Sequence, residues 1–173
     1  MKHTTVETYR KDKLYPKVVK AAAFLLRTSD EICPLTILLQ MGRISSKDHE
    51  SWRRGQIPYL ERVFQGSLSK ANRILKIIGF HAHDLKMVPI LQTYRQPGSN
   101  RCLRFSRSGE SKIERSYSRH FRWNQSQTKK QELIEKIMSE PIHSCDALPA
   151  TCIMDDFKIT NKITEVVASQ NIQ

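Results

Sequence analysis

Ile44-Ser-Ser-Lys-Asp-His-Glu-Ser-Trp-Arg-Arg-Gly-Gln-Ile-Pro-Tyr-Leu-Glu-Arg-Val63 carries a helix start, a helix stop and a second start in one short stretch. Ser45 or Ser46 offers a hydroxyl to the free amides of a first turn, and Asp48, three residues after Ser45, gives a shortened capping pattern. Gly55 can take the left-handed conformation that ends a helix. Pro58 suits the first turn of the next, so a helix is expected from there to Gly66 with Tyr59, Leu60, Val63 and Phe64 on its apolar face.

Upstream, residues 1–13 are polar and read as an arm. Pro16 opens a helix to about Thr28, in which Val18, Val19, Ala22, Leu25 and Leu26 recur at helical spacing. Pro34 starts a short helix through Leu35, Leu38, Leu39 and Met41 that stops at Gly42. Downstream, Leu68, Ala71, Leu75, Ile78 and Ala82 predict the longest helix, from Ser67 to about Leu85, with Gly79 as a weak point. The runs 90–94 and 102–106 flank Gln96-Pro-Gly-Ser-Asn100, which predicts a β-hairpin with a basic outer face. A final helix is expected over 111–121 with Ile113, Tyr117, His120 and Phe121 inward, closed by Trp123. After Asn124 the composition turns to Gln, Ser, Thr and Lys. A marginal helix fits 128–139, and Pro141 and Pro149 interrupt the chain after it, so a mobile tail is expected. The fold class is mainly α with α+β character: a compact helical domain over 5–123 with a small β-hairpin, then a flexible C-terminal tail over 124–173.

A chain of 173 residues with 39% hydrophobic content suits one domain. Its net charge of +12 and isoelectric point near 9.8 favour an anionic partner. Residues 1–124 hold 24 Lys and Arg against 10 Asp and Glu, an excess of +14, whereas residues 125–173 hold 5 against 7. No apolar run has the length of a membrane span, and the first residues lack the apolar core of a secretory signal, so a cytoplasmic protein is expected. Cys33, Cys102, Cys145 and Cys152 show no metal-knuckle spacing and read as reduced thiols.

The stretch Gly42 to Pro58, with its Trp52-Arg-Arg-Gly55 ending, resembles the helix-turn-helix of repressor-type DNA-binding domains. That resemblance implies that Ser46, Lys47, His49 and Glu50 face bases while Arg53 and Arg54 lie near phosphates. Two short helices joined by a tight turn are also a common packing unit. A broader resemblance covers residues 15–123. Residues 52–63, His81-Ala-His-Asp-Leu85, Leu103-Arg-Phe-Ser-Arg-Ser-Gly109 and 113–121 are together similar to an uncharacterised family of small bacterial proteins. It implies a single domain ending near Trp123 and lends no activity.

Arg95, Arg101, Arg104, Arg107, Arg115, Arg119 and Arg122 dominate a run interleaved with Tyr94, Phe105, Tyr117, Phe121 and Trp123. Arginine forks suit phosphate and aromatic rings suit bases. The alternative for the rings is an aromatic core beneath a solvated face. His81 and His83 are the candidate metal pair, but residues two apart on a helix diverge, so no metal or other cofactor is assigned. No nucleophile elbow or glycine-rich phosphate loop is present, and no catalytic residue is assigned. The expected function is non-catalytic nucleic-acid binding, on DNA or RNA. The alternative is a module docking its basic face on an acidic protein or anionic lipid, and a metal-dependent nuclease ranks third.

Overall fold

The computed structural model describes residues 4–140. In chain order the elements are α1 (Tyr15–Leu26), β1 (Glu31–Ile32), α2 (Pro34–Gln40), α3 (Ser46–Arg53), α4 (Leu68–Asp84), β2 (Val88–Leu91), α5 (Ser111–Ser118), β3 (Arg119–Arg122) and α6 (Gln127–Ser139). Two short 3₁₀ turns, Tyr9–Lys11 and Leu60–Val63, complete the set. The protein is mainly helical with a small antiparallel sheet of order β1-β3-β2. No helix among the described residues is long and apolar enough to cross a membrane.

The Ser45 hydroxyl accepts the Asp48 amide at 3.1 Å and starts α3, and Gly55, at φ +77°, turns the chain away after it. Trp52 on the inner face of α3 is fully buried, and its indole N–H donates to the Arg104 carbonyl at 2.7 Å. The amides of Leu60 and Glu61 donate to the carbonyls of Arg104 and Phe105, at 3.1 and 2.9 Å. These contacts override local propensity twice. The helix expected from Pro58 shrinks to the turn Leu60–Val63, with Tyr59 before it and Phe64 after it extended, and its Leu60 and Glu61 amides serve another segment. The expected hairpin is likewise short. Leu103 N–H reaches the Tyr94 carbonyl at 2.8 Å, and Arg95 bridges Cys102 beside a closed turn, while β2 pairs with β3 instead.

β3 is the central strand, aligning Phe121 with Ile32 on one side and with Pro89 on the other. The expected helix over 111–121 therefore ends at Ser118. Beyond it, Phe121 and Trp123 are buried and alternate with exposed Arg122, the period of a strand.

α4 supplies the longest core face, with Ala71, Ile74, Leu75, Ile77, Ile78 and Ala82 buried, and it packs on α1, where Ala21 and Ala22 allow a close approach. The segment expected to be a free arm is packed from Thr4 onward. The Tyr9 ring lies edge-on to Tyr15 and tilted against Phe80, and its hydroxyl joins Arg10 at the Asp84 carboxylate. Asp12 accepts both Nε (3.0 Å) and Nη2 (2.6 Å) of Arg73, the Leu14 amide at 2.9 Å and the Thr4 hydroxyl at 3.2 Å.

The helix expected over 128–139 is present as α6, capped by Ser126 and lying along α1 with Leu133 and Ile134 against the core. Its Lys130 is buried, donating to Asp30 at 2.7 Å and to the Ser29 carbonyl at 2.8 Å. Packing thus continues past Trp123. Residues 141–173 of the tail expected over 124–173, with Cys145 and Cys152, lie outside the described residues.

Candidate nucleic-acid interface

The segment 95–109 leaves the body between β2 and α5 and is anchored from within by two carboxylates. Glu114 accepts the amides of Phe105 (3.0 Å) and Ser106 (2.7 Å) and the Ser106 hydroxyl. Glu61 accepts the Arg107 amide at 3.1 Å and the Tyr117 hydroxyl at 3.3 Å. Both acids point inward, while the arginines of the loop point out. Arg95, Arg101 and Arg107 are exposed and form no ion pair among the described residues. Arg95 Nη1 donates a long bond to the Asn100 carbonyl at 3.5 Å, and Arg104 is held more closely: its Nη2 donates to the Arg107 carbonyl at 2.7 Å and its fork lies against Gly109, so it helps to build the loop.

The aromatic residues of this region make a core. Trp52 contacts Tyr94 and Phe105, with ring centroids 5.8 and 5.1 Å apart, and Phe105 stacks on Tyr117 at 5.3 Å and 2°. Trp52, Phe105, Tyr117, Phe121 and Trp123 are all buried. The base-stacking role open to Phe105, Tyr117, Phe121 and Trp123 in the sequence is therefore closed, because their rings are buried in the core.

The same core joins two of the sequence candidates in space. The guanidinium of Arg53 sits 5.9 Å from the Tyr94 ring centroid, and Gln96 Nε2 donates to the Arg54 carbonyl at 3.0 Å. Arg53 and Arg54 thus lie beside the 95–104 segment. Arg54 is exposed but paired with Glu50 on its own helix. Lys47 is exposed at the start of α3. His49 is half-buried against Trp52, and burial, with Arg53 nearby, lowers its pKa and favours the neutral ring.

The remaining arginines diverge. Successive residues of β3 face opposite sides of the sheet. Arg119 and Phe121 line a groove with Lys112, whereas His120 and Arg122 turn to the side of Glu31, with Arg122 Nη2 3.6 Å from its carboxylate. Arg115 is exposed on α5. Residues 95–122 are therefore not one continuous stripe.

Sequence reasoning did not find the polar chain beneath the loop. His120 Nδ1 donates to Glu31, and His120 Nε2 shares a hydrogen bond of 2.7 Å with the Tyr94 hydroxyl, with Cys33 Sγ 3.9 Å from that hydroxyl. Burial, then the neighbouring Cys33, pushes the Tyr94 phenol far above its ordinary value, so it stays a neutral donor. The chain fastens the loop to β1 and β3. His81 and His83 diverge as their helical placement implies: His81 is buried against Tyr15 and His83 is exposed. Among the described residues no three His, Cys, Asp or Glu side chains come together as a metal site would need.

No family model matches the chain, and neither the curated proteins nor the solved structures contain a match to it.

Proposed function

We propose that the protein binds nucleic acid through the arginine loop 95–109, with Arg53 and Arg54 beside it, and performs no catalysis there. The observation that carries this reading is the division of charge. Glu61 and Glu114, the acids anchoring this loop, are spent on backbone amides and hydroxyls, so Arg101 and Arg107 keep their forks for an outside anion, as does Arg95 apart from the 3.5 Å bond from its Nη1 to the Asn100 carbonyl. A loop fastened at both ends presents those forks with little ordering cost, which favours association. Phosphate contacts made this way position the polymer without reading its sequence. The exposed start of α3, with Ser46 and Lys47, is the proposed base-reading element, as the helix-turn-helix resemblance implies.

Fluorescence-anisotropy titration of the full chain against random duplex DNA, single-stranded DNA and structured RNA, each at two salt concentrations, tests the reading. Salt-sensitive binding to at least one polymer is expected. Absence of binding to all three at low salt overturns it, and binding to anionic vesicles or a polyglutamate peptide instead would put the acidic-partner alternative in its place.

A further inference from the structure

A second basic region occupies another part of the molecule. A cavity of about 1120 Å³ runs along α4 from Lys70 in its first turn to Asp84 at its end, beside the start of α1, the α2–α3 connection and the end of α6, and Arg10, Lys13, Lys20, Arg43, Lys70 and Lys136 line it. Asp84 and Glu140 are the carboxylates on its wall, and Asp84 is occupied by Tyr9 and Arg10. Lys20 donates to the Glu140 carbonyl at 2.8 Å. Lys13, Arg43, Lys70 and Lys136 have no ion-pair partner among the described residues. The Arg43 Nε is moreover fully buried with no hydrogen-bond partner, a group whose desolvation calls for an acceptor.

Part of the lining is of a different kind. Tyr15 and His81 meet edge to face at 6.0 Å, beside Leu14, Val19 and Leu85. His81 is 6% exposed. Burial depresses its pKa to about 4, so the ring is neutral at pH 7 and offers one donor and one acceptor. The lining therefore holds both cations that suit several negative charges and rings that suit a flat, partly polar group. The size is somewhat above the usual range of small-molecule sites, roughly 300–1,000 Å³.

We propose that this cavity binds a nucleoside polyphosphate, with its phosphates on Lys13, Arg43, Lys70 and Lys136 and its base against Tyr15 and His81. The site shares no side chain with the arginine loop and stands independently of the nucleic-acid reading.

The test is calorimetric titration of the full chain with adenosine triphosphate, inorganic tripolyphosphate and adenosine at physiological salt, where diffuse surface attraction is screened. Adenosine triphosphate should bind with one-to-one stoichiometry and at least about tenfold more tightly than tripolyphosphate, because only it carries a base for Tyr15 and His81 as well as phosphates. The variant Lys70→Gln/Lys136→Gln should weaken it by about tenfold or more, as expected for two lost charge-assisted contacts, with an unchanged melting temperature. The variant Arg101→Gln/Arg107→Gln should leave it unchanged. No binding of adenosine triphosphate at millimolar concentration, equal affinity for tripolyphosphate, or equal affinity in the Lys70→Gln/Lys136→Gln variant would each overturn the proposal.

Discussion

Glu114→Ala tests how the arginine loop is held. The Glu114 carboxylate is the acceptor for two backbone amides and one hydroxyl, and two of those donors belong to Ser106, which is 0% exposed. Hydrogen bonds to a charged acceptor contribute about 1.5–3 kcal/mol each, and a buried donor left without an acceptor costs about 1–3 kcal/mol. Glu114 itself is half-buried, so water can enter beside a truncated side chain and recover part of the loss. The expected destabilisation is about 3 kcal/mol, with Glu114→Gln costing about half as much because one carbonyl oxygen remains. Denaturant unfolding of the full chain, followed by tryptophan fluorescence, measures it, since Trp52 bonds to the same loop. A loss below about 1 kcal/mol for Glu114→Ala would refute the claim that this carboxylate anchors the segment.

Three further outcomes are expected from the packing. Asp12 is pushed up by burial but pulled further down by Arg73, the Leu14 amide and Thr4, so its folded-state pKa lies below the ordinary carboxyl value. Its stabilisation is thus complete above about pH 4 and fades as pH falls through the lower folded value. Asp12→Asn should cost about 2 kcal/mol at pH 7 and flatten the acid limb of the stability profile, and an unaltered acid limb would count against the assignment. Gly55→Ala should destabilise by about 1 kcal/mol, because the residue sits at φ +77° and an added Cβ meets the Gln96 side chain at 2.7 Å; thermal melting reads the change. Lys130→Ala, which removes the ammonium shared by Asp30 and the Ser29 carbonyl, should cost about 1–2 kcal/mol and speed proteolytic cutting within α6, whereas unchanged cutting would show that this contact does not hold the helix down.

The sequence was most informative where a signal is local. Ser45 and Gly55 bracket α3, and the spacing from Leu68 to Ala82 marks α4, because caps and periodicity act over a few residues. It was least informative where distant segments compete for the same backbone groups. Nothing near Pro58 announces that the Leu60 and Glu61 amides will serve carbonyls more than forty residues away, and this competition shortened both the expected helix and the expected hairpin. The strand at 119–122 was legible in retrospect from the alternation of Phe121 and Trp123 with Arg122, but Tyr117 and Ile113 upstream favoured continuing the helix. For the candidate interface, residue type placed Arg95, Arg101 and Arg107 on the surface, while the inward use of Glu61 and Glu114 is a tertiary fact. The basic cavity escaped notice because its cations are scattered from Arg10 to Lys136 and converge only in three dimensions.

The most direct test of the central claim is the salt dependence of nucleic-acid affinity for the native chain and for Arg95→Gln/Arg101→Gln/Arg107→Gln. On duplex DNA each phosphate neutralised contributes about −0.9 to the slope of log affinity against log salt concentration, and about −0.7 on single strands. The account predicts that the triple variant folds with unchanged stability and loses roughly 2 to 3 units of slope on duplex DNA. An unchanged slope in a folded variant would contradict it and remove the arginine loop from the binding surface.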